Sequence, residues 1–112
     1  MNTEQKNRIA NVIQNNCSAR RKYISRKGGQ EQHCIIMGLI VDSNIEFDPY
    51  YKSINDVQIL HSSMNDIKLL LMQEYGLDKI DLAMLQYTND EYENIKLRRI
   101  ALLEFLNSIN DI

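Results

Sequence analysis

Cys34-Ile35-Ile36-Met37-Gly38-Leu39-Ile40-Val41 is the longest uninterrupted apolar run in the chain, and whether it forms a strand or a helix decides the fold. It is short, rich in β-branched residues, and bounded by polar His33 and by the turn-forming Asp42-Ser43-Asn44. These features predict a strand buried on both faces. Ile45-Glu46-Phe47-Asp48 then alternates apolar and polar residues, so a hairpin over 33–47 is expected, with Gly38 marking a bulge. A short buried helix carries the same apolar pattern, which leaves an all-α chain as the alternative.

On the N-terminal side, Gly28-Gly29 is the strongest break, because paired glycines favour turns and weaken a helix. From Asn2 to about Ile24 there is neither Pro nor Gly, and Ile9, Val12 and Ile13 recur at helical spacing. A first helix capped by Asn2 or Thr3 is expected. Its apolar stripe is narrow, which predicts a peripheral helix whose basic continuation faces water.

On the C-terminal side, Asp48-Pro49 reads as an N-cap followed by proline at the first helical position. Tyr50, Ile54, Val57, His61, Met64, Ile67, Leu71 and Tyr75 then step by three or four residues, and Leu60 and Leu70 widen the stripe. A helix over 49–75 follows, beginning there or at Ser53 and stopped by Gly76, with Leu77 placed for a Schellman contact. Leu77 to Gln86 predicts a short helix presenting either Ile80 and Met84 or Leu82 and Leu85 to the core. Thr88-Asn89-Asp90-Glu91 matches a capping box for a last helix over 89–109, with Tyr92, Ile95, Leu102, Leu103, Leu106 and Ile109 on its apolar face.

The expected fold class is therefore α+β, mostly α. A chain of 112 residues supports one core, so 1–112 is read as one domain, with a basic peripheral helix over 1–27, a hairpin over 33–47 and a helical core over 49–109. In that core the 49–75 helix packs centrally on the 89–109 helix. Ile59, Leu69 and Met72 fall outside the main stripe of the long helix, and this excess apolar surface predicts a homodimer.

The apolar fraction of 44% and charged fraction of 25% are those of an ordinary globular chain. The apolar run of 34–41 is far below the roughly 20 residues a membrane-crossing helix requires, so no membrane partner is expected. The polar start of the chain and its two cysteines predict a cytoplasmic protein with free thiols. A leaning toward Ile and Asn, without Trp, suits an AT-rich genome such as that of a phage, virus or other mobile element, which would place the protein in a host cytoplasm.

Charge is distributed asymmetrically. Residues 1–34 carry seven Lys and Arg against two acids, whereas 35–112 carry six against thirteen. Arg20, Arg21, Lys22, Arg26 and Lys27 surround Tyr23, a pattern that suits nucleic-acid or other anion binding, with cations on phosphates and the ring stacked on a base. The ordinary alternative is a solvated helix end paired with the acidic part of the same molecule. On a helix, Lys22 and Arg26 would share one face and Arg20 and Lys27 another.

Arg26 and His33, separated by six residues, resemble the Arg-x(4 to 6)-His signature of HEPN ribonucleases. The resemblance implies a helical protein whose Arg and His act on the 2′-hydroxyl and scissile phosphate of RNA. It covers only this short stretch, and the sequence departs from the family by carrying Gly28-Gly29 inside the motif and Lys27 where a polar Asn, Asp or His is usual.

Cys17, His33, Cys34 and His61 lack the paired short spacing of zinc ligands, so no metal is expected. His61 and Cys34 read as core-edge and core residues. No phosphate-binding loop, dinucleotide fingerprint, nucleophile elbow or zinc-protease motif is present, and no cofactor is expected. The composite reading is a small non-enzymatic interaction protein, a mobile-element accessory that regulates or inhibits a host macromolecule through a protein interface or self-association. The alternatives are a nucleic-acid-binding regulator using segment 20–27, and a small ribonuclease.

Overall fold

The computed structural model describes residues 1–45 and 57–109, with the backbone alone described over 57–65. The described elements run α1 (Thr3–Asn15), β1 (Ile24–Lys27), β2 (Gln30–His33), α2 (Ile35–Asp42), α3 (Val57–Tyr75), α4 (Lys79–Glu91) and α5 (Ile95–Ser108). The fold is α+β and mostly α, as expected, but its hairpin spans 24–33 and not the 33–47 that the sequence suggested.

The shift originates at Gly28 and Gly29. Both take positive φ, +60° and +78°, the conformation that a two-residue hairpin turn requires. The strands on either side pair antiparallel, with Ile24 opposite His33 and Arg26 opposite Glu31. Helix α1 therefore ends at Asn15 instead of reaching Ile24, and the basic segment passes through a loop into β1.

The decisive apolar run is the helix α2 and not a strand. Cys34 caps it by accepting the Met37 N–H at 3.4 Å, and the Asn89 side chain accepts the Ile35 N–H at 3.0 Å. Residues Ile35 through Ile40 are all buried, so the first six of its eight residues offer no polar face, and exposure begins at Val41 and Asp42. Gly38 is not a bulge: a Cβ there would stand 2.8 Å from Val12 Cγ1, so its bareness lets α1 and α2 approach closely. Asp42-Ser43-Asn44 does make a turn, after a helix, with Asn44 at φ +56°.

Helix α1 is central and not peripheral. Its narrow stripe, Ile9, Val12 and Ile13, is buried, and it packs on α5, α2 and α3. Asn2 is its cap, bonding reciprocally with Gln5. Arg8 forks to Asp42 and Glu74 at 3.0 and 2.8 Å and lies over the Tyr75 ring, so part of the N-terminal positive charge is answered within the molecule.

In α3, Ile67, Leu71 and Tyr75 are buried as expected, whereas Leu70 is exposed. The expected start at Pro49 and the residues Tyr50 and Ile54 lie outside the described residues, as do the side chains of Val57, Ile59, Leu60, His61 and Met64. Gly76 at φ +65° ends α3, with the Leu77 N–H bonded to the Met72 carbonyl at 3.1 Å, which is the Schellman stop.

Helix α4 continues past Gln86 to Glu91 and absorbs the supposed capping box. Thr88 and Asn89 are buried in its last turns, and α5 starts at Ile95, capped by Asn94. Leu82 and Leu85 face the core, while Ile80 and Met84 face outward. Helix α5 buries Leu102 and Leu106, and among the described residues it packs mainly on α4 and α1 rather than on α3 as anticipated; Tyr92 and Ile95 are exposed. Among the described residues, no helix is long and apolar enough to cross a membrane.

Candidate functional site

Helices α3 and α4 are joined by Gly76, Leu77 and Asp78 alone, and a groove of about 550 Å³ opens between them. Lys68, Leu69 and Met72 supply the α3 wall. Lys79, Leu82, Ala83 and Tyr87 supply most of the α4 wall, with Gln86 and Asp90 toward its far end. The volume falls within the usual range of pockets, about 300–1,000 Å³, and the lining mixes apolar side chains with a few polar groups. Leu69 and Tyr87 are 56% and 61% exposed, and Ile80, at 72%, extends the outward stripe of α4 through Ala83 and Met84.

This stripe arises because α4 carries apolar residues on two sides. Leu82 and Leu85 at a spacing of three face inward, and Ile80, Ala83, Met84 and Tyr87 at spacings of three and four face out. Leu69 and Met72, two of the three residues that fell outside the main stripe of the long helix, line the groove, and the side chain of the third, Ile59, lies outside the described residues. The sequence thus contained the signal, though not its location on the surface.

Asp90 links the groove to the basic segment. Its carboxylate accepts the Arg21 N–H at 2.7 Å and the Asn89 amide at 3.2 Å, and its carbonyl accepts Arg20 Nε at 2.7 Å. Arg21 sits at φ +61° to make this contact. The loop before β1 is fastened further by Asn89 Nδ2 to the Ala19 carbonyl at 2.9 Å and by the Cys34 N–H to the Tyr23 carbonyl at 3.0 Å.

Beneath the loop lies Arg98, 2% exposed, whose guanidinium donates to the Cys17, Tyr92 and Glu93 carbonyls at 2.6, 2.8 and 3.1 Å. Burial lowers its pKa, as it removes the charged form from water, and the nearby Arg20 and Arg99 add to this. Cys17 is buried with its thiol pushed up by desolvation, and it donates to the Ile13 carbonyl.

The expected anion-binding residues are therefore placed differently from one another. Arg21, Lys22, Arg26 and Lys27 are exposed, and Arg20 is half-buried and engaged with Asp90. Tyr23 is buried at 8% exposure, its hydroxyl accepting from Gln86 and its pKa raised by desolvation, so its ring is not offered for base stacking. The helical faces proposed for Lys22 with Arg26 and for Arg20 with Lys27 do not exist, because Arg26 and Lys27 are on β1.

Arg26 and His33 occupy the two strands of the hairpin, not a helix, and His33 Nε2 meets Glu31 Oε1 at 2.7 Å. The helical setting implied by the ribonuclease resemblance is absent from this segment. Among the described residues no group of three or more His, Cys, Asp or Glu comes together to hold a metal. No protein-family model, curated protein or solved structure matches this chain.

Proposed function

We propose that this chain is a non-enzymatic binding protein that receives the apolar surface of another protein in the groove between α3 and α4. The observation that carries the reading is the groove itself, which continues onto exposed Ile80, Met84 and Tyr87. Contiguous apolar surface of this kind marks interaction sites. A three-residue turn containing Gly is also the connection of DNA-binding helix-turn-helix units. Here the outward side of α4 offers Ile80, Ala83, Met84 and Tyr87 with Lys79 as its cation, which suits an apolar partner better than phosphates. A regulatory or inhibitory accessory role in a host cell is consistent with this mode of action and with the composition.

The test uses the neutral apolar dye Nile red, whose fluorescence rises in apolar sites. The wild-type protein should bind it, and Leu69→Asp with Tyr87→Asp should abolish binding while leaving the helical circular dichroism unchanged. Unchanged dye binding in that double variant would refute the groove as the site. Exposed Arg21, Lys22, Arg26 and Lys27 favour a second reading, polyanion binding through the hairpin. Filter binding of a single-stranded RNA that weakens steeply between low and moderate salt would support it.

A further inference from the structure

Resting on the groove reading, we infer that the occupant is an acidic amphipathic helix of a partner protein, held on its two flanks by Lys68 and Lys79. Helix-in-groove recognition needs an apolar floor a few turns long, and α4 supplies one from Lys79 to Asp90, about 16 Å at the helical rise. Its floor is Leu69, Met72, Leu82, Ala83 and Tyr87. This length accommodates apolar anchors at positions i, i+3 or i+4, and i+7 of an incoming helix.

The charges select the sign of that helix. Lys79 is the first residue of α4 and stands at the closed end, beside the turn. Lys68 lies on the opposite wall, seven residues before the end of α3 at Tyr75, or about two helical turns from Lys79 along the groove. Asp90 is the groove's carboxylate among the described lining residues, and it already accepts from the Arg21 and Asn89 groups, with Arg20 at its carbonyl. Two lysines against this one carboxylate leave the described lining with a balance of +1 in a molecule whose formal net charge is −2.

A partner helix carrying carboxylates about two turns apart on opposite flanks satisfies both lysines while its apolar face covers the floor. A second copy docked groove to groove suits the site less well. Two-fold symmetry would bring the same cationic patch of each copy together, and like charges across an interface are costly.

The inference is tested with two fluorescein-labelled 15-residue helical peptides that share one Leu-rich face and differ only in flanks of Glu or Lys. By fluorescence polarisation the Glu peptide should bind at least tenfold tighter, and Lys68→Glu with Lys79→Glu should invert that preference. Equal affinity for both peptides, tighter binding of the Lys peptide, or binding of neither overturns the acidic-helix inference. Nile red binding in the same samples reports separately on the groove, so its loss in Leu69→Asp with Tyr87→Asp would leave the groove reading standing even if both peptides failed. A doubled sedimentation mass that falls to the monomer value in that double variant would identify a second copy as the occupant instead.

Discussion

Helices α2 and α4 are both rich in apolar residues, yet α2 is enclosed from Ile35 to Ile40 and α4 is open along one side. Ile35 to Ile40 are surrounded by α1, α3 and α4, with Gly38 drawn against Val12, whereas α4 buries Leu82 and Leu85 and leaves Ile80, Met84 and Tyr87 uncovered. Apolar content therefore does not distinguish a helix that stabilises the fold from one that serves a partner. The difference lies in what surrounds each face, and substitutions should divide along the same line.

The largest losses belong to the polar anchor and the core. Arg98→Leu should destabilise by about 3–5 kcal/mol, because one buried and two part-buried carbonyls lose charged donors at once. Leu71→Ala, at a fully buried site, should lose about 2–5 kcal/mol in denaturant melts. If either change proved nearly neutral, the enclosed region would be less cooperative than its packing indicates.

Gly38→Ala should be smaller, about 1–3 kcal/mol, as the added methyl must displace Val12 of α1 and its C-cap Asn16. At the other extreme, Ile80→Ser and Tyr87→Ser should each stay within about 0.5 kcal/mol while reducing binding in the groove. A large stability loss at Ile80 would erase the contrast between the two helices.

A titration sharpens the same contrast. Burial and the Asp42 carboxylate raise the Tyr75 pKa, and burial pushes the Cys34 thiol up to about 12. Groups whose folded pKa is raised hold their protons longer in the folded state, so stability is complete below the unfolded values and falls as pH rises past them. Thermal melts should decline from about pH 9 upward, given the usual thiol and phenol values. Tyr75→Phe should flatten the upper part of that decline. Cys34 should alkylate only as fast as the molecule opens, since its thiol is buried at the start of α2.

Local chemistry was legible where a residue answers to its neighbours. The Asn2 cap, the Gly76 stop with Leu77, the α1 stripe of Ile9, Val12 and Ile13, and the described α3 positions Ile67, Leu71 and Tyr75 follow from residue type and spacing, whereas Leu70 does not. The identity of α2 was not legible, because its first six residues, all buried, have no period and their β-branched run imitates a strand. Thr88-Asn89-Asp90-Glu91 looked like a cap because nothing local shows that Asn89 is committed to Ile35 and Ala19. The basic segment was visible as a cluster, but its division into exposed cations, an engaged Arg20 and a buried Tyr23 depends on Asp90 and Gln86, more than 60 residues away in sequence.

Asn89 also sets an order of events. Its side chain completes the start of α2 and holds the Ala19 carbonyl, spanning 54 and 70 residues. During synthesis the hairpin and the most apolar helix emerge well before the residue that closes them, so Ile35 to Ile40 must wait exposed or sheltered until α4 has been made. Non-local closure of this kind slows folding. A chain stalled before residue 89 should bind chaperones through that helix, and its release should follow the arrival of a single asparagine.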